Sequence, residues 1–393
     1  MPAEQPTREL LDACVHCGFC LPACPTYSLW SEEMDSPRGR IHLMSLVESG
    51  ELGIDQAAPH LDRCLGCLAC VPACPSGVRY DLLIERARAE RREHAPRSLR
   101  ARAIDAALFA VMTHPRRLRL LSWPLALGLR PPIDLVPRVS SADLIAEPPP
   151  FAPSAGPPRM SVALLAGCVQ RVLFGRVNTD AVDALTACGC DVSVPPGQGC
   201  CGALALHAGR EDEAVRRARA TIEALDGFDR VVVTAAGCGS AMKSYGELLG
   251  DEQSQRFAAG VRDITELLAE LGPPEPADPG APLRIVYQDA CHLRHGQGVA
   301  DQPRELLRAI PGAELVEIAD PGMCCGSAGT YNLLQPEAAR ELGERKARTI
   351  LDVRPDVVVT ANPGCAIQLT AAFRRLGVHD LPVVHPVELL RYS

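Results

Sequence analysis

Two runs of four cysteines, each spaced C-x2-C-x2-C-x3-C and followed by proline, lie in the first quarter of the chain. The first run is Cys14, Cys17, Cys20 and Cys24, and the second is Cys64, Cys67, Cys70 and Cys74. Each cysteine of the second run lies 50 residues after its counterpart. Three thiolates at such short intervals can meet in one tight turn, whereas the proline carries the fourth thiolate away. The pattern therefore predicts metal ligation.

This spacing resembles that of bacterial ferredoxins with two 4Fe–4S clusters, in which the fourth cysteine of each run ligates the other cluster. We therefore expect one cluster on Cys14, Cys17, Cys20 and Cys74, and the other on Cys64, Cys67, Cys70 and Cys24. Crossed ligation keeps the two clusters near each other, as stepwise electron transfer requires. Zinc usually takes two C-x2-C pairs, which leaves the third cysteine and the C-P ending of each run unexplained.

The connection between the two runs is long and contains the helix-prone stretch MDSPRGRIHLMSLVESGEL, residues 34–52. A minimal β-type ferredoxin has a shorter connection. We therefore predict, for residues 1–95, the α-helical ferredoxin-like form found in respiratory iron–sulfur subunits. Within the first loop, His16 is a candidate for a hydrogen bond to cluster sulfur, and plain exposure is the alternative.

The other ten cysteines lie after residue 160, in a region that contains an internal duplication. In each copy an apolar run ends at a cysteine, a Cys-Cys-Gly triplet follows, and a second apolar run ends at another cysteine. The first copy has Cys168, Cys200, Cys201 and Cys238, and the second has Cys291, Cys324, Cys325 and Cys365. The single cysteine precedes the pair by 32 residues in one copy and 33 in the other. Such agreement indicates one structural unit that occurs twice.

Within each copy, strand-like apolar runs alternate with amphipathic stretches, which predicts βαβ units with a mostly parallel sheet. Because each apolar run ends at a cysteine, we expect the thiols at the carboxyl ends of the strands, where open α/β sheets bind their ligands. The sequence thus predicts a duplicated α/β cysteine-rich domain, with repeats at 161–275 and 276–393.

The duplicated pattern resembles the CCG domain of heterodisulfide reductases and related electron-transfer proteins. In its full form the last element is C-x2-C, which supplies five ligands to an unusual cluster. Here Ala241 and Gln368 occupy the position of the fifth cysteine, so four thiols remain in each copy. They could hold an iron–sulfur centre at one or both copies, a zinc ion, or no metal.

Two further cysteines and two histidines lie outside these patterns. Cys188 and Cys190 are expected to be small core or loop residues. His292 and His295, in the stretch CHLRHGQG, could act as a ligand, a proton relay or a docking contact. The alternative for both is a hydrogen-bonded loop histidine.

Charge and motif content exclude several functions. The net charge of −8 argues against nucleic acid as a partner, because phosphate binding needs a basic surface. No G-x-G-x-x-G or Walker motif is visible, so we expect no flavin or nucleotide site on this chain. We expect no secretory signal and no membrane-spanning helix, hence a cytoplasmic protein. Electrons would then have to come from a partner that holds the hydride acceptor.

Residues 96–160 contain no cysteine. From Arg97 to Arg138 there are eight arginines against Asp105 and Asp134, among apolar residues that include Trp123. A basic amphipathic stretch of this kind is typical of a helix on an anionic membrane, and the alternative is packing against the cysteine-rich domains or a partner. The stretch EPPPFAPSAGPPR, residues 147–159, has six prolines and predicts an extended linker.

With these motifs in view, the chain resembles the iron–sulfur subunits of glycolate oxidase (glycolate dehydrogenase) over residues 10–393. The most specific stretches are CVHCGFC (14–20), ACPTY (23–27), PRGRI (37–41), CPSGVRY (74–80), CCGSAGTY (324–331) and TANPGC (360–365). The resemblance implies a complex in which FAD-containing partner subunits oxidise glycolate, and D-lactate, to the 2-oxo acid. This chain would pass the electrons towards quinone, as a peripheral protein on the cytoplasmic face of the inner membrane.

Two alternatives remain at this point. One is an iron–sulfur subunit of another flavin dehydrogenase, of the anaerobic glycerol-3-phosphate, lactate-utilisation or heterodisulfide-reductase type. The other is a stand-alone redox or zinc-binding protein. Co-purifying flavin subunits would distinguish the first from the glycolate complex, and a monomer that never binds a flavoprotein would favour the second.

Overall fold

The computed structural model describes residues 7–95, 99–129, 134–137 and 139–392. Residues 7–95 form five helices and one 3₁₀ turn at Glu33–Asp35. The helices are α1 (Thr7–Asp12), α2 (Pro25–Trp30), α3 (Pro37–Glu48), α4 (Ile54–Asp62) and α5 (Tyr80–His94). Because residues 7–95 contain no strand, the α-helical form of the ferredoxin-like domain is confirmed.

Local sequence explains how α3 comes to lie between the two cysteine runs. Its N-cap is Ser36, whose hydroxyl accepts a hydrogen bond from the Gly39 amide, and Pro37 occupies the first turn. A Cβ at Gly39 would lie 1.9 Å from the Glu33 carbonyl oxygen, so only glycine permits the close approach of the 3₁₀ turn. Helices α1, α3, α4 and α5 enclose a core that includes the fully buried Leu61 and Leu83.

The cysteine-free segment forms helices that pack on the first repeat. They are α6 (Leu99–Met112), α7 (Pro115–Ala126) and α8 (Ser141–Ile145). Phe109 is buried among residues of the first repeat, with the Arg210 guanidinium 4.2 Å from its ring centre. Asp105 binds Arg92 at 2.8 Å and Arg210 at 3.3 Å. The segment therefore packs against a cysteine-rich domain on the side that carries Phe109 and Asp105. This packing is one of the two alternatives that the sequence suggested for it.

The first repeat contains a five-stranded sheet in the order β1-β3-β2-β4-β5. Its strands are β1 (Phe151–Ala152), β2 (Met160–Leu165), β3 (Cys190–Ser193), β4 (Arg230–Val233) and β5 (Val261–Asp263). Strand β1 comes from the proline-rich stretch and pairs antiparallel with β3. Two residues of that stretch are therefore anchored at the edge of the sheet. Proline is tolerated there because an edge strand leaves half of its amides unpaired.

The second repeat has the same topology. Its strands are β6 (Leu283–Tyr287), β7 (Ala313–Val316), β8 (Val357–Val359) and β9 (Val383–Val384). They pair in the order β7-β6-β8-β9, all parallel, which matches β3-β2-β4-β5 strand for strand. The predicted duplication with parallel sheets is therefore confirmed.

The helices of the two repeats cover both faces of the sheets. In the first repeat they are α9 (Val169–Leu173), α10 (Gly175–Ala187), α11 (Ala203–His207), α12 (Glu211–Leu225), α13 (Ala236–Lys243), α14 (Tyr245–Leu249), α15 (Glu252–Gly260) and α16 (Ile264–Leu271). In the second they are α17 (Cys291–Arg294), α18 (Asp301–Arg308), α19 (Tyr331–Leu334), α20 (Pro336–Leu351), α21 (Pro363–Arg375) and α22 (Pro386–Leu389). None of the described helices is long and apolar enough to cross a membrane.

The two repeats share one continuous core. Apolar side chains of the first sheet, such as Leu164, lie in the same buried cluster as Tyr287 of the second sheet and Val387 of α22. Cys188 and Cys190 also lie in this core, as expected. Burial raises the pKa of the Cys188 thiol to about 12, so this thiol stays neutral. A shared core keeps the cysteine sites of the two repeats in one rigid arrangement.

The duplication extends to the last helix of each repeat. Asp263 caps α16 and His385 caps α22, each in a capping box with the glutamate three residues later. The His385 Nδ1 accepts a hydrogen bond from the Val387 amide at 3.3 Å. Because its ring is buried, the pKa of His385 is lowered from 6.5 to about 3. Burial also raises the pKa of Asp263, to about 6.

We expect His385 to make the fold acid-sensitive. A folded-state pKa of about 3 against an unfolded value of 6.5 gives stability that is complete above pH 6.5 and is lost as the pH falls towards 3. Between pH 8 and pH 5 the loss should be about 2 kcal/mol. His385→Asn keeps an N-cap acceptor without this titration, so its thermal midpoint should fall less on acidification. Parallel midpoint curves for the two proteins would contradict this assignment.

Candidate iron–sulfur centres

Two cavities in the helical domain are lined by thiols. The first encloses about 410 Å³, including open solvent, and is lined by Cys14, Cys17, Cys20, Cys70 and Cys74. The second encloses about 300 Å³ and is lined by Cys24, Cys64, Cys67 and Cys70. The fourth cysteine of each run therefore lies in the cavity of the other run, as crossed ligation would require, and Cys70 lines both cavities. Four thiols on an apolar wall are the donor set of a 4Fe–4S cluster.

The two cysteine loops share one backbone conformation. Positive φ angles occur at His16 (55°) and Gly18 (88°) in the first loop, and at Gly66 (64°) and Leu68 (62°) in the second. These positions correspond under the 50-residue repeat, so each loop turns through two left-handed residues. Such turns direct backbone amides inward. The Gly66 amide donates to the Cys64 sulfur at 3.3 Å, and the His16 amide contributes in the same way to Cys14.

A buried arginine lies beside the second cavity. Arg40 is 1% exposed and donates to the Thr26 hydroxyl at 3.1 Å and to the His60 carbonyl at 2.7 Å. Burial raises the pKa of the Cys64 thiol, but the charges of Arg40 and Arg88 and a hydrogen bond from Tyr80 more than offset it, so the pKa lies below its usual value. Arg40, Arg88 and Tyr80 therefore stabilise the thiolate form of Cys64.

Asp35 is the counter-ion of this arginine. Its carboxylate is 1% exposed and lies 3.5 Å from Arg40, 3.0 Å from His60 and 2.8 Å from Arg63. The Asp35 carbonyl also accepts a hydrogen bond from Thr26 at 2.6 Å. A buried charge needs such compensation. Through these contacts the Asp35 carboxylate joins its own 3₁₀ turn to α3 and α4 beside the second cavity.

The four thiols of each repeat also converge, at the carboxyl ends of the sheet. In the first repeat hydrogen bonds link Cys168 to Cys200, Cys200 to Cys201, and Cys201 to Cys238. They lie at the carboxyl ends of the adjacent strands β2 and β4. The chain continues from β2 to one side of the sheet and from β4 to the other, and open α/β sheets bind ligands at such a point. The predicted location of the thiols is therefore correct.

The second repeat has the same set, with links from Cys291 to Cys324, Cys324 to Cys325 and Cys325 to Cys365. The thiols form a chain of pairwise contacts. Within the part of the chain that the structure describes, no three His, Cys, Asp or Glu side chains form a site for a single metal ion.

Hydrogen bonds lower the pKa of a different cysteine of the Cys-Cys pair in each repeat. Those from Cys168 and Cys201 hold the pKa of Cys200 well below its usual range. In the second repeat those from Cys324 and Cys365 lower the pKa of Cys325.

The residues at the position of the fifth cysteine of the CCG pattern supply no thiol. Ala241 is buried in the core, and Gln368 donates to the Ala339 carbonyl at 2.7 Å.

The second repeat lies directly against the second cluster loop. Leu65, Cys67 and Ala69 are buried in one apolar cluster with Cys324 and Tyr331. Burial raises the pKa of Cys67 well above its usual value, and the nearby Cys291 thiol raises it further. The second cavity and the second repeat's thiols are therefore neighbours.

The thiol sites of the two repeats are joined by a short hydrogen-bonded path. Asn362 accepts from the Gly237 amide at 3.4 Å and donates to the Cys365 sulfur at 3.5 Å. Gly237 precedes Cys238, so one side chain connects both sites. Asn362 has no counterpart in the first repeat, where the shorter sequence TAAGC occurs.

The histidines hold loops together. The His292 ring hydrogen-bonds the Gly66 carbonyl and lies 4.8 Å from the His207 ring. His295 Nε2 lies 3.1 Å from the Gly322 carbonyl oxygen. The ring of His16 is exposed and packs edge-on near His42. These contacts agree with the simpler expectation for His292 and His295, namely hydrogen-bonded loop histidines.

Sequence reasoning missed Arg40, Tyr80, Lys346 and Asn362. Lys346 is 3% exposed, donates to the Asp320 carbonyl at 2.6 Å, and helps to lower the pKa of Cys325. A charged residue is normally a surface residue, so its burial beside a thiol cannot be recognised from type alone. The available signal was resemblance, because Arg40 lies in PRGRI, Tyr80 in CPSGVRY and Asn362 in TANPGC.

Comparisons with known proteins agree with a helical dicluster domain followed by two cysteine-rich repeats. The family model of the 4Fe–4S dicluster domain matches residues 10–78, and that of the cysteine-rich domain (CCG) matches 162–243 and 285–370. The glycolate oxidase iron–sulfur subunit of Escherichia coli (strain K12) is 35% identical over 96% of this chain and 94% of its own length. The probable glycolate oxidase iron–sulfur subunit of Bacillus subtilis (strain 168) is 36% identical over 97% and 93%.

Other relatives share only part of the chain. Lactate utilization protein A of Oceanobacillus iheyensis is 30% identical over 59% of this chain and 96% of its own length. The two relatives named as glycolate oxidase subunits instead match nearly end to end, across the helical domain and both repeats. The chain therefore belongs to the family of glycolate oxidase iron–sulfur subunits.

Proposed function

We propose that this chain relays electrons within a complex that oxidises glycolate, and D-lactate, to the 2-oxo acid on FAD-containing partner subunits. The observation that carries the proposal is the pair of thiol-lined cavities in a chain that matches glycolate oxidase iron–sulfur subunits over its whole length. Relatives named for lactate utilisation or for fumarate reductase match only 59% of it. That difference in coverage favours glycolate oxidation over the other flavin dehydrogenases.

The site assignment follows the cavities. Cys14, Cys17, Cys20 and Cys74 would hold cluster 1, and Cys24, Cys64, Cys67 and Cys70 would hold cluster 2. Bound clusters would supply one-electron transfer. The protein supplies thiolates, inward amides and the buried Arg40, which orient the ligands and compensate their charge.

We also propose that the thiols of both repeats hold iron–sulfur centres that extend the path. Cys291 packs against the apolar cluster that contains Cys67, which brings the second repeat next to the second cavity, and Asn362 joins the second repeat to the first. The path would then run from cluster 1 to cluster 2, to the second repeat and to the first. Since each repeat offers four buried or half-buried thiols, its donor set matches that of the helical domain in number.

Anaerobic iron and acid-labile sulfide analysis tests both proposals. We expect about sixteen iron atoms per chain, four for each site. Cys325→Ser should lose about four of them, whereas Cys188→Ala, a buried cysteine outside every site, should lose none. About eight iron atoms in the wild type, with no change in Cys325→Ser, would limit the relay to the helical domain.

We further propose that the outer face of α6 and α7 rests on an anionic membrane, where quinone would accept the electrons. Among the residues that the structure describes, 14 large apolar side chains are exposed, and half of them lie in residues 99–129, namely Leu99, Ile104, Leu120, Leu121, Trp123, Leu127 and Leu129. Arg116 and Arg117 are exposed on the same segment, whose one acidic residue, Asp105, is buried. Arginine beside apolar and aromatic side chains is the composition of an interfacial helix.

Vesicle flotation tests this membrane contact. The protein should bind vesicles that contain phosphatidylglycerol and should not bind pure phosphatidylcholine. Leu120→Glu should weaken binding at least tenfold, because it places a carboxylate among the apolar side chains that would enter the bilayer. Leu333→Glu, an exposed leucine elsewhere, is the control. Equal binding of both variants would contradict the proposal.

A further inference from the structure

The two cluster loops have the same backbone but very different surroundings. Under the 50-residue repeat, Val15 corresponds to Leu65 and Phe19 to Ala69. In the second loop these positions are 7% exposed each. In the first loop Val15 is 67% exposed and Phe19 is 68% exposed. One loop is therefore covered and its structural twin is not.

The cover of the second loop is another domain of the same chain. Leu65 and Ala69 pack against Tyr331, Ala338 and Leu342 of the second repeat. The domain that covers this loop is also the one that carries the next group of thiols, since Cys324 belongs to the same apolar cluster. Apolar packing over a cluster loop is thus how this fold brings one redox domain against another.

The first loop presents an equivalent surface to solvent. We call Val15, Cys17 and Phe19 the collar. Cys17 is the one exposed residue among the 18 cysteines, all of which lie in described parts of the chain. Electron transfer to a partner requires close approach, so cluster 1 is the accessible end of the path. Large apolar side chains grouped at such a point mark a protein contact.

The charge of the collar indicates the kind of partner. Residues 13–21 contain no Asp, Glu, Lys or Arg. An anionic membrane would be attracted by basic residues, which this chain carries on α7 instead. A neutral apolar patch fits the apolar face of another protein, as the second loop fits the second repeat.

We propose that the collar is the docking surface for the flavoprotein subunit that delivers electrons, a proposal that rests on the relay function above. The partner's reduced flavin is oxidised in two one-electron steps and releases its protons to solvent. A cluster held by Cys14, Cys17, Cys20 and Cys74 would accept these electrons one at a time, and the thiols of the second cavity would hold the next acceptor. Electrons therefore enter at the collar and leave at the other end of the path, through the repeats.

The experiment uses the complex formed with the flavoprotein subunits of glycolate oxidase. Phe19→Glu should weaken co-purification with the flavoprotein at least tenfold, because a carboxylate would be buried at the contact. Substrate-driven reduction of the clusters should slow by a similar factor. Reduction by dithionite, followed by EPR, should remain as in the wild type. Phe151→Glu, a phenylalanine that is 56% exposed on β1, is the matched control and should behave as the wild type.

The outcomes separate this proposal from the relay function. If the wild type binds the flavoprotein and Phe19→Glu binds it equally well, the docking proposal is wrong. If the wild type itself never binds a flavoprotein, the relay function fails first. Should Phe19→Glu lose iron, Val15→Ser and Phe19→Ser remove apolar surface without adding charge, and unchanged flavoprotein affinity in both would overturn the proposal. Loss of vesicle binding with flavoprotein binding intact would show that the collar contacts the membrane instead.

Discussion

Cys17→Ser is expected to stop electron transfer through this chain while the partner's flavin is still reduced by substrate. Cys17 is one of four thiols around the first cavity and the most exposed of them. Its loss would leave the proposed cluster 1 with three of its four thiol ligands, at the end of the path where we propose that electrons enter. We expect reduction of the physiological acceptor to fall at least a hundredfold. Flavin bleaching by glycolate should continue at the wild-type rate, because we propose that this chemistry occurs on another subunit.

Cys188→Ala provides the control for this result. Cys188 is buried in the core shared by the repeats and lies outside all four thiol sets, so its loss should cost stability without affecting electron transfer. The EPR signal should show loss of one cluster in Cys17→Ser and none in Cys188→Ala. Normal acceptor reduction by Cys17→Ser would show that electrons bypass cluster 1.

Much of the fold was predictable because cysteine spacing and apolar periodicity are local signals. The C-x2-C-x2-C-x3-C-P runs predicted that the fourth cysteine of each run would lie beside the other run, and the cavities place Cys24 and Cys74 in that way. The repeated apolar runs that end at Cys168 and Cys291 predicted parallel sheets with thiols at the strand ends. The strand ends can be read from residues next to each cysteine, whereas the exchange of the fourth cysteine between runs came from the resemblance to ferredoxins.

What could not be predicted depends on contacts between distant segments. The apolar Leu65 reads as a loop residue, and only the folded chain shows the second repeat resting on it. The proline-rich stretch reads as a linker, yet Phe151 and Ala152 find a sheet edge to pair with. The segment after residue 96 suggested two alternatives. The structure shows that its inner side packs on the first repeat through Phe109 and leaves Trp123 partly exposed.

The surroundings of the two cavities differ in a way that should order their reduction potentials. The second cavity has the buried cation of Arg40 and a hydrogen bond from the Tyr80 hydroxyl to Cys64 at 3.5 Å. The first has an exposed thiol at Cys17 and the half-buried Arg38, which donates to the His16 carbonyl. Cations and hydrogen bonds to sulfur stabilise the more negative reduced state. Cluster 2 should therefore attract electrons from cluster 1.

Arg40→Leu should consequently lower the midpoint potential of cluster 2 and destabilise the domain. The guanidinium lies 3.5 Å from Asp35 and lowers the pKa of the Cys64 thiol. Its removal withdraws a positive charge from the thiolates, and a tenfold change in the one-electron equilibrium corresponds to about 59 mV. We expect a fall of at least that size in an EPR-monitored redox titration. Loss of one partner of a buried ion pair should also cost roughly 3–5 kcal/mol.

Arg63→Leu is the variant that separates the two effects. Arg63 binds the same Asp35 carboxylate at 2.8 Å but is 41% exposed, so its loss should cost at most about 1 kcal/mol and leave the potential of cluster 2 unchanged. Arg40→Lys retains the charge while losing the fork that reaches both Thr26 and His60, so it should recover most of the potential but only part of the stability. If Arg40→Leu and Arg63→Leu shift the potential equally, the ion network acts only through the fold. If Arg40→Leu alone shifts it, and Arg40→Lys reverses the shift, the buried charge itself sets the direction of electron flow.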